Sequence, residues 1–170
     1  MTHEEALAAA LAEARAGMAE GNDPVGAVLL RDGEPIGWGR NRFLAGGDPT
    51  SHAEMEAYCD AARRLGARLP REAVEAALEG CDIYTTAMPC PMCAGAIQRF
   101  RARRVIVSEV ATYSPAATRD WLERHGIAVE VAGDAAAVAL VEDYLARHPE
   151  RLPDYRRAEG AAVVAGPPSC

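Results

Sequence analysis

Two short motifs in the middle of the chain combine residue types that bind transition metals. Cys90 and Cys93 stand three residues apart in the run Pro89-Cys90-Pro91-Met92-Cys93, and His52 is followed two residues later by Glu54. Because residues three apart lie on one face of a helix, the two thiols can bind one metal ion together. A bare C-x-x-C pair is also typical of a redox centre or of half a zinc ribbon, so spacing alone leaves these alternatives open.

The remaining cysteines and the histidine favour one of these alternatives. Cys59, Cys81 and Cys170 are scattered singly, and the first two are expected as small core residues, so the sequence offers no second pair for a zinc ribbon. One nitrogen of His52 and two thiolates leave the fourth position of a tetrahedral zinc to water, which is the catalytic pattern. Glu54 can take a proton from that water and deliver it to a ring nitrogen and a leaving amine. These residues predict hydrolytic conversion of C–NH2 to C=O.

Length, charge and the absence of lysine narrow the classes of protein further. A chain of 170 residues suits one domain, which we place at 1–159, with a C-terminal tail at 160–170. All 18 basic residues are Arg, which excludes Schiff-base chemistry and the P-loop lysine. The net charge of −7 argues against nucleic acid as the main partner.

Two features of the sequence bear on the cellular compartment. The start, Met1-Thr2-His3-Glu4-Glu5, is acidic where a signal peptide is basic, and no apolar run approaches the ~20 residues of a membrane span. The odd number of cysteines favours reduced thiols. These features predict a cytoplasmic protein that does not enter a membrane.

Apolar periodicity and turn residues predict alternating helices and strands. Thr2 and Glu5 form a capping-box pattern before the first helix, and Asp32-Gly33 joins two strands, 25–31 and 34–40, into a hairpin. Further helices are expected at 52–65, 71–79, 91–100, 115–124 and 134–147, and further strands at 81–86, 105–107 and 127–131. This order predicts an α/β fold, a three-layer α/β/α sandwich around a five-stranded mixed sheet whose later strands are parallel.

The two metal-binding motifs together form the H-x-E and P-C-x-x-C signature of zinc deaminases that act on nucleobases. The chain resembles the cytidine-deaminase-like superfamily along nearly its whole length. The run Tyr84 to Ile97 and the pieces Trp121 to Val131 and Arg147 to Glu150 look most like the fungal and bacterial cytosine deaminases. The resemblance implies deamination of cytosine to uracil, with guanine or another aminopurine or triazine as the alternative substrate.

The resemblance also implies a metal centre and a set of partners. His52, Cys90 and Cys93 would bind one Zn2+, and Glu54 would shuttle protons. The expected partners are a small heterocyclic amine and water, with a second copy of the chain in a homodimer.

Contacts to the substrate follow from the same resemblance. Asn41 would hydrogen-bond the ring, the backbone amides near Ala53 and the first zinc cysteine would hold a ring carbonyl, and Tyr113 stands where cytosine deaminases place a phenylalanine over the base. Asp154 would supply the acid of the family's C-terminal Trp-x-Glu-Asp segment, although the tryptophan is missing here. Met88 replaces a small serine. These departures bear on which ring the cavity accepts.

A cluster of arginines raises an RNA-binding alternative. Arg99, Arg101, Arg103 and Arg104 follow the second motif, and tRNA adenosine deaminases share the core motifs and hold RNA on basic surface. Arginines near a helix C-terminus also interact with the helix dipole, and such runs are commonly solvated. A tRNA-editing deaminase and a non-catalytic zinc module therefore stand as alternatives to a deaminase of free bases.

Overall fold

A mixed sheet of five strands forms the centre of the molecule. The structure is a computed structural model that describes residues 1–113 and 116–152. The strands are β1 (Gly26–Arg31), β2 (Glu34–Arg40), β3 (Asp82–Thr85), β4 (Arg104–Val107) and β5 (Ala128–Val131). They lie in the order β2-β1-β3-β4-β5, with β1 antiparallel to β2 and β3, and with β3, β4 and β5 parallel. The predicted mixed sheet and its parallel later strands are confirmed.

Seven helices surround this sheet in the described residues. They are α1 (His3–Ala19), α2 (Phe43–Gly46), α3 (Ala53–Gly66), α4 (Arg71–Leu78), α5 (Pro91–Arg99), α6 (Ala116–Arg124) and α7 (Ala135–Arg147), and a 3-10 turn (Pro149–Arg151) follows. The one-turn helix α2 was not predicted from the sequence, because four residues are too few to show a helical period. No helix among the described residues has both the length and the apolar character needed to cross a bilayer.

Local sequence signals account for the first helix and the hairpin. Thr2 caps α1, since its hydroxyl accepts a hydrogen bond from the Glu5 amide at 3.2 Å while the Glu5 carboxylate accepts one from the Thr2 amide at 2.7 Å. Asp32 and Gly33 both adopt positive φ, at 51° and 81°. A two-residue hairpin turn with two positive φ angles matches the right-handed twist of its strands, so the predicted hairpin forms.

Alternating side chains of β1 contribute to two apolar cores. Ala27 and Leu29 pack in the core that contains residues of α3, α4, α5 and α6, whereas Val28 and Leu30 pack against Ala6 and other residues of α1. Helix α7 lies beside α1, where Val141, Tyr144 and Met18 form a third, smaller cluster. The predicted arrangement of a sheet between helical layers is therefore confirmed.

Glycines in the hairpin bring helix α3 against the sheet backbone. A Cβ atom added at Gly39 would lie 2.0 Å from the Ala53 carbonyl oxygen, and one added at Gly37 would lie 2.3 Å from the Ala57 carbonyl oxygen. Real Cβ atoms essentially never approach backbone atoms so closely. The backbone of the first two turns of α3 thus packs so closely against β2 that only glycine fits at these two positions of the strand.

Replacement of Gly39 by alanine is expected to destabilise the fold and displace the start of α3. The added methyl group meets helix backbone that cannot move alone, so we expect a loss of about 1–3 kcal/mol in the free energy of unfolding, measured in urea. The matched control is Gly95→Ala, at an exposed position in α5 with open space around the added atom, which should be neutral or slightly stabilising. Equal stability of the two variants would contradict this packing.

An ion-pair network joins the starts of three parallel strands. The Asp82 side chain is 6% exposed and accepts hydrogen bonds from Arg103 Nε at 2.8 Å, Arg103 Nη2 at 2.6 Å and Arg104 Nη2 at 3.0 Å. Arg104 also contacts Glu130 of β5 at 3.1 Å. Burial of the Asp82 carboxyl opposes its ionisation, but the hydrogen bonds from the two arginines outweigh burial and lower its pKa.

The Asp82→Asn variant is expected to lose about 2 kcal/mol of stability at pH 7, because it removes the acceptor charge of a mostly buried network. A carboxyl whose pKa is lower in the folded state stabilises the fold above its unfolded pKa of about 4, and this contribution disappears as pH falls through the folded pKa. The stability difference from the parent should therefore shrink below pH 4 in urea unfolding. Glu123→Gln, which breaks the exposed Arg119–Glu123 pair, is the control and should change little.

Candidate zinc centre and substrate cavity

The metal-binding side chains come from the starts of two helices. His52 is the N-cap residue of α3 and Cys90 is the N-cap residue of α5, with Cys93 one turn further along α5. The Cys90 Sγ atom lies 3.5 Å from His52 Nδ1 and 3.6 Å from Cys93 Sγ, and the three donor atoms all lie within 4.8 Å of one another. The structure therefore brings together the three ligands that the sequence predicts.

These spacings fit a tetrahedral zinc ion. With Zn–S bonds of about 2.3 Å and Zn–N bonds of about 2.0–2.1 Å, tetrahedral geometry places two sulfurs about 3.8 Å apart and a sulfur and a nitrogen about 3.6 Å apart. The observed separations of 3.6 and 3.5 Å agree with these values. The third donor is an imidazole, which matches the catalytic zinc pattern of one nitrogen and two sulfurs.

The two cysteines of the candidate metal site differ in the pKa of their thiols. A hydrogen bond with the Cys93 thiol, and to a smaller extent the contact with His52, lower the pKa of Cys90 to about 4 against the opposing effect of burial. The same bond between the sulfurs, together with burial, raises the pKa of Cys93, and the hydrogen bond with Cys90 raises the pKa of His52. Zinc binds thiolates, so its uptake releases thiol protons, and the raised pKa of Cys93 makes that cysteine the harder of the two to deprotonate.

Glu54 lies in the first turn of α3 and is almost completely buried beside these donors. Burial, followed by the nearby negative charge of Cys90, raises its pKa above that of an ordinary glutamate. The Thr85 hydroxyl lies 3.2 Å from Glu54 Oε1 and can donate to it, which fixes the orientation of the carboxyl group. A carboxyl group held in place beside the metal donors can accept a proton from one group and return it to another.

The metal donors open into a cavity of about 270 Å³. Among the residues predicted from the sequence, His52, Glu54 and Cys90 line it together with Asn41, Ala53 and Tyr113. Cys93 lies behind them and is fully buried, and Met88 closes part of the wall. Asp154, the predicted C-terminal acid, lies outside the described residues.

Asn41 and Ala53 present polar backbone and amide groups to this cavity. The Asn41 Oδ1 atom accepts a hydrogen bond from the Phe43 amide at 3.0 Å, which leaves the side-chain N–H2 and a second oxygen lone pair for a ligand. In α3 the first intrahelical bond runs from the Glu56 amide to the His52 carbonyl at 2.9 Å, so the amide of Ala53 precedes the hydrogen-bonded ladder. Both residues line the cavity, and their roles as substrate contacts stay predictions.

Tyr113 reaches the cavity from a loop that a buried glutamate holds. Glu109, which follows β4, accepts hydrogen bonds from the amides of Ala111 at 2.7 Å and Thr112 at 2.9 Å, and also from the Thr112 hydroxyl. Burial raises the pKa of Tyr113 to about 12, so its phenol stays neutral at physiological pH. The loop thus presents an uncharged aromatic ring to the cavity.

Sequence reasoning missed one wall of the cavity and misplaced one cysteine. Asp23, Phe43, Val141 and Arg151 also line the cavity, and nothing in their local spacing distinguishes them as site residues. Cys59 was expected on the inner face of its helix and is exposed, because the inner face is occupied by the buried side chains Ala57, Tyr58 and Ala61.

The match to known proteins covers both helix starts that carry the metal donors. Residues 1–109 match the family described as the cytidine and deoxycytidylate deaminase zinc-binding region. The protein belongs to this family, and the donor group accordingly fits one Zn2+.

Individual relatives differ in the substrates that their names state. Over 108 residues the chain is 40% identical to a tRNA-specific adenosine deaminase of Aquifex aeolicus, covering 64% of this chain and 66% of the relative. Over 106 residues it is 40% identical to the guanine deaminase of Bacillus subtilis, covering 62% and 63%. These two alignments span less than two thirds of each relative's length.

Two further comparisons extend over most of the chain. The cytosine deaminase of Candida albicans is 28% identical over 145 residues, which cover 85% of this chain and 89% of the relative. The solved structure of guanine deaminase from Nitrosomonas europaea superposes with a TM-score of 0.69 at 26% identity, covering 85% of both chains.

Removal of one donor is expected to abolish stable zinc binding. Cys93→Ser should lower the zinc content, measured by atomic absorption after gel filtration, well below one ion per chain. The same variant should lose the stabilisation that excess zinc gives the parent, about 4 kcal/mol at a thousand times the dissociation constant. Cys59→Ser, at the exposed cysteine of α3, is the control and should retain both properties. Full zinc content in Cys93→Ser would show that the donor set is wrong.

Proposed function

We propose that the protein is a hydrolytic deaminase that converts an amino group on a small free heterocyclic base to a carbonyl and releases ammonia. Cytosine is the first candidate substrate. The observation that carries the proposal is the buried Glu54 carboxyl, which faces the same cavity as the His52 and Cys90 donors.

The reaction consumes one water and exchanges an exocyclic amine for an oxygen. A zinc ion held by His52, Cys90 and Cys93 would supply an activated water near neutral pH. Glu54 would accept one proton of the water and pass it to a ring nitrogen. It would then take the second proton from the hydroxyl group added to the ring and give it to the amine, which leaves as ammonia as the C–N bond breaks. The hydrogen bond from Thr85 and burial hold the Glu54 carboxyl in place and exclude bulk water from these transfers.

The size and walls of the cavity favour a single flat ring system. A volume of about 270 Å³ lies below the 300–1,000 Å³ typical of pockets for drug-sized ligands, so it suits a base rather than a nucleotide. Phe43 and Tyr113 give the cavity aromatic surface, on which a planar heterocycle can stack. Asn41 and the Ala53 amide supply polar contacts at the edge of such a ring.

Cytosine and guanine each have support from a relative. The alignment with a cytosine deaminase covers 85% of the chain and therefore extends into its C-terminal half, which contributes Tyr113. Guanine is the second candidate, because the solved guanine deaminase matches the fold over 85% of the chain. Met88 and the changed C-terminal segment are the features that can shift the choice between them.

The arginine cluster gives little support to tRNA as substrate. Arg99 pairs with Glu75 at 4.0 Å and Arg101 with Glu79 at 3.7 Å, while Arg103 and Arg104 pair with Asp82. Their charges are therefore matched by carboxylates on the same surface, and binding of phosphate would have to break these pairs. The cytoplasmic location, the homodimer and the domain boundary at 159 stay predictions.

Ammonia release by the zinc-loaded protein tests the proposal. The substrates are cytosine, 5-methylcytosine, guanine, adenine, ammeline, cytidine and a tRNA anticodon stem-loop. Glu54→Gln should keep its zinc and lose at least about a hundredfold in turnover, because the proton shuttle is removed. Glu56→Gln, two residues further along α3 and outside the cavity, is the matched control and should keep turnover.

Three results would contradict parts of the proposal. Unchanged turnover in Glu54→Gln would show that Glu54 is not the proton shuttle. Turnover of the stem-loop alone would indicate a tRNA-editing enzyme. Tight zinc binding with no ammonia from any substrate would favour a non-catalytic zinc module.

A further inference from the structure

A charged pair forms part of the cavity wall that the zinc motifs do not supply. Asp23 follows α1, and its side chain is 11% exposed; Arg151 belongs to the 3-10 turn after α7, and its side chain is 18% exposed. Arg151 Nε donates to Asp23 Oδ1 at 3.1 Å and Arg151 Nη2 donates to Asp23 Oδ2 at 2.8 Å. The Tyr144 hydroxyl donates to Asp23 Oδ1 at 2.7 Å.

This arrangement holds the Asp23 carboxylate in one orientation. A bidentate guanidinium fixes the plane of a carboxylate, and the phenol of α7 fixes it from a second element. The neighbouring surface is apolar, with Val25, Phe43 and Val141 in the same wall. Partial burial of a charged pair among such residues costs free energy that apolar side chains would not.

Among the described residues, three hydrogen bonds reach the Asp23 carboxylate, which lines the cavity and can accept one more. An ionised carboxylate offers about four lone-pair sites. Tyr144 and Arg151 Nε occupy two sites on Oδ1, and Arg151 Nη2 occupies one on Oδ2. Because the carboxylate oxygens only accept hydrogen bonds, a ligand group that binds Asp23 must be an N–H or O–H.

We propose that Asp23 is the specificity-determining residue of the cavity and that it accepts a hydrogen bond from a ring N–H of the free base. The inference rests on the proposed function and deepens it. In a nucleoside the sugar replaces the hydrogen of this ring N–H. A nucleoside therefore cannot donate the hydrogen bond to Asp23, and its sugar would crowd the ion pair of Asp23 and Arg151. Selection of bases over N-substituted bases follows from that contact.

Discrimination between cytosine and 1-methylcytosine tests this role directly. The parent should turn over cytosine with a much higher kcat/KM than 1-methylcytosine, in which a methyl group replaces the N–H. Asp23→Asn should raise the KM for cytosine by about tenfold to a hundredfold, the effect of losing a hydrogen bond to a charged group, with kcat changed little. Its kcat/KM values for the two compounds should approach each other. Asp143→Asn, at an exposed position on α7, is the control and should keep the parent's selectivity.

Binding of the reaction product gives a second readout that does not depend on turnover. Calorimetry should show the parent binding uracil more tightly than 1-methyluracil, with this preference reduced in Asp23→Asn. If guanine is the substrate, the calorimetry compares xanthine with 9-methylxanthine instead of uracil with 1-methyluracil. Thermal unfolding tests whether Asp23→Asn is folded. If that variant is unfolded, Asp23→Glu takes its place, because it keeps the charge and moves the carboxylate oxygens by one methylene. Asp23→Glu should also lose selectivity.

Each outcome separates this inference from the proposed function. If the parent turns over a free base and Asp23→Asn keeps the parent's preference for N–H over N-methyl, the role of Asp23 is overturned and the deaminase stands. An equal loss for both compounds would show a structural role only, which also overturns the inference. If the parent acts on no free base, the proposed function itself fails.

Discussion

The contact between helix α3 and the glycines of β2 is the constraint on which the site depends. Gly37 and Gly39 let the helix backbone lie directly on the strand, and this sets the height of His52 and Glu54 above the sheet. The second half of the centre reaches the same place because β3 runs beside β1 and ends immediately before the loop into α5. Two helix starts thus meet over the sheet, and their dipoles both favour the thiolate and carboxylate found there.

Features with a local cause could be predicted from the sequence. The hairpin turn at Asp32-Gly33, the helix starts at Thr2 and Pro91, and the order of strands all follow from residue types a few positions apart. The metal donors could be predicted for a different reason, because the H-x-E and P-C-x-x-C motifs together form a known signature of zinc deaminases. The spacing of a motif, however, does not specify what closes the cavity above it.

The parts that could not be predicted depend on contacts between distant residues. Helix α2 is held by the Asn22 side chain, whose Oδ1 accepts from the Ala45 amide at 2.9 Å while its Nδ2 donates to the Gly17 carbonyl at 3.4 Å. Arg151 meets Asp23 from 128 positions away. No periodicity of hydrophobic residues encodes such pairs, since each partner alone resembles an ordinary surface residue.

The separation of Asp23 from Arg151 along the chain has a consequence for the order of assembly. During synthesis the sheet strands β1 to β3 and both metal-binding helix starts emerge before α7 and the 3-10 turn. A nascent chain at that stage already carries every zinc donor, yet it lacks Tyr144, Val141 and Arg151 from the cavity wall. Metal capture can thus precede completion of the base-binding wall, because α7 and the 3-10 turn emerge after all three zinc donors.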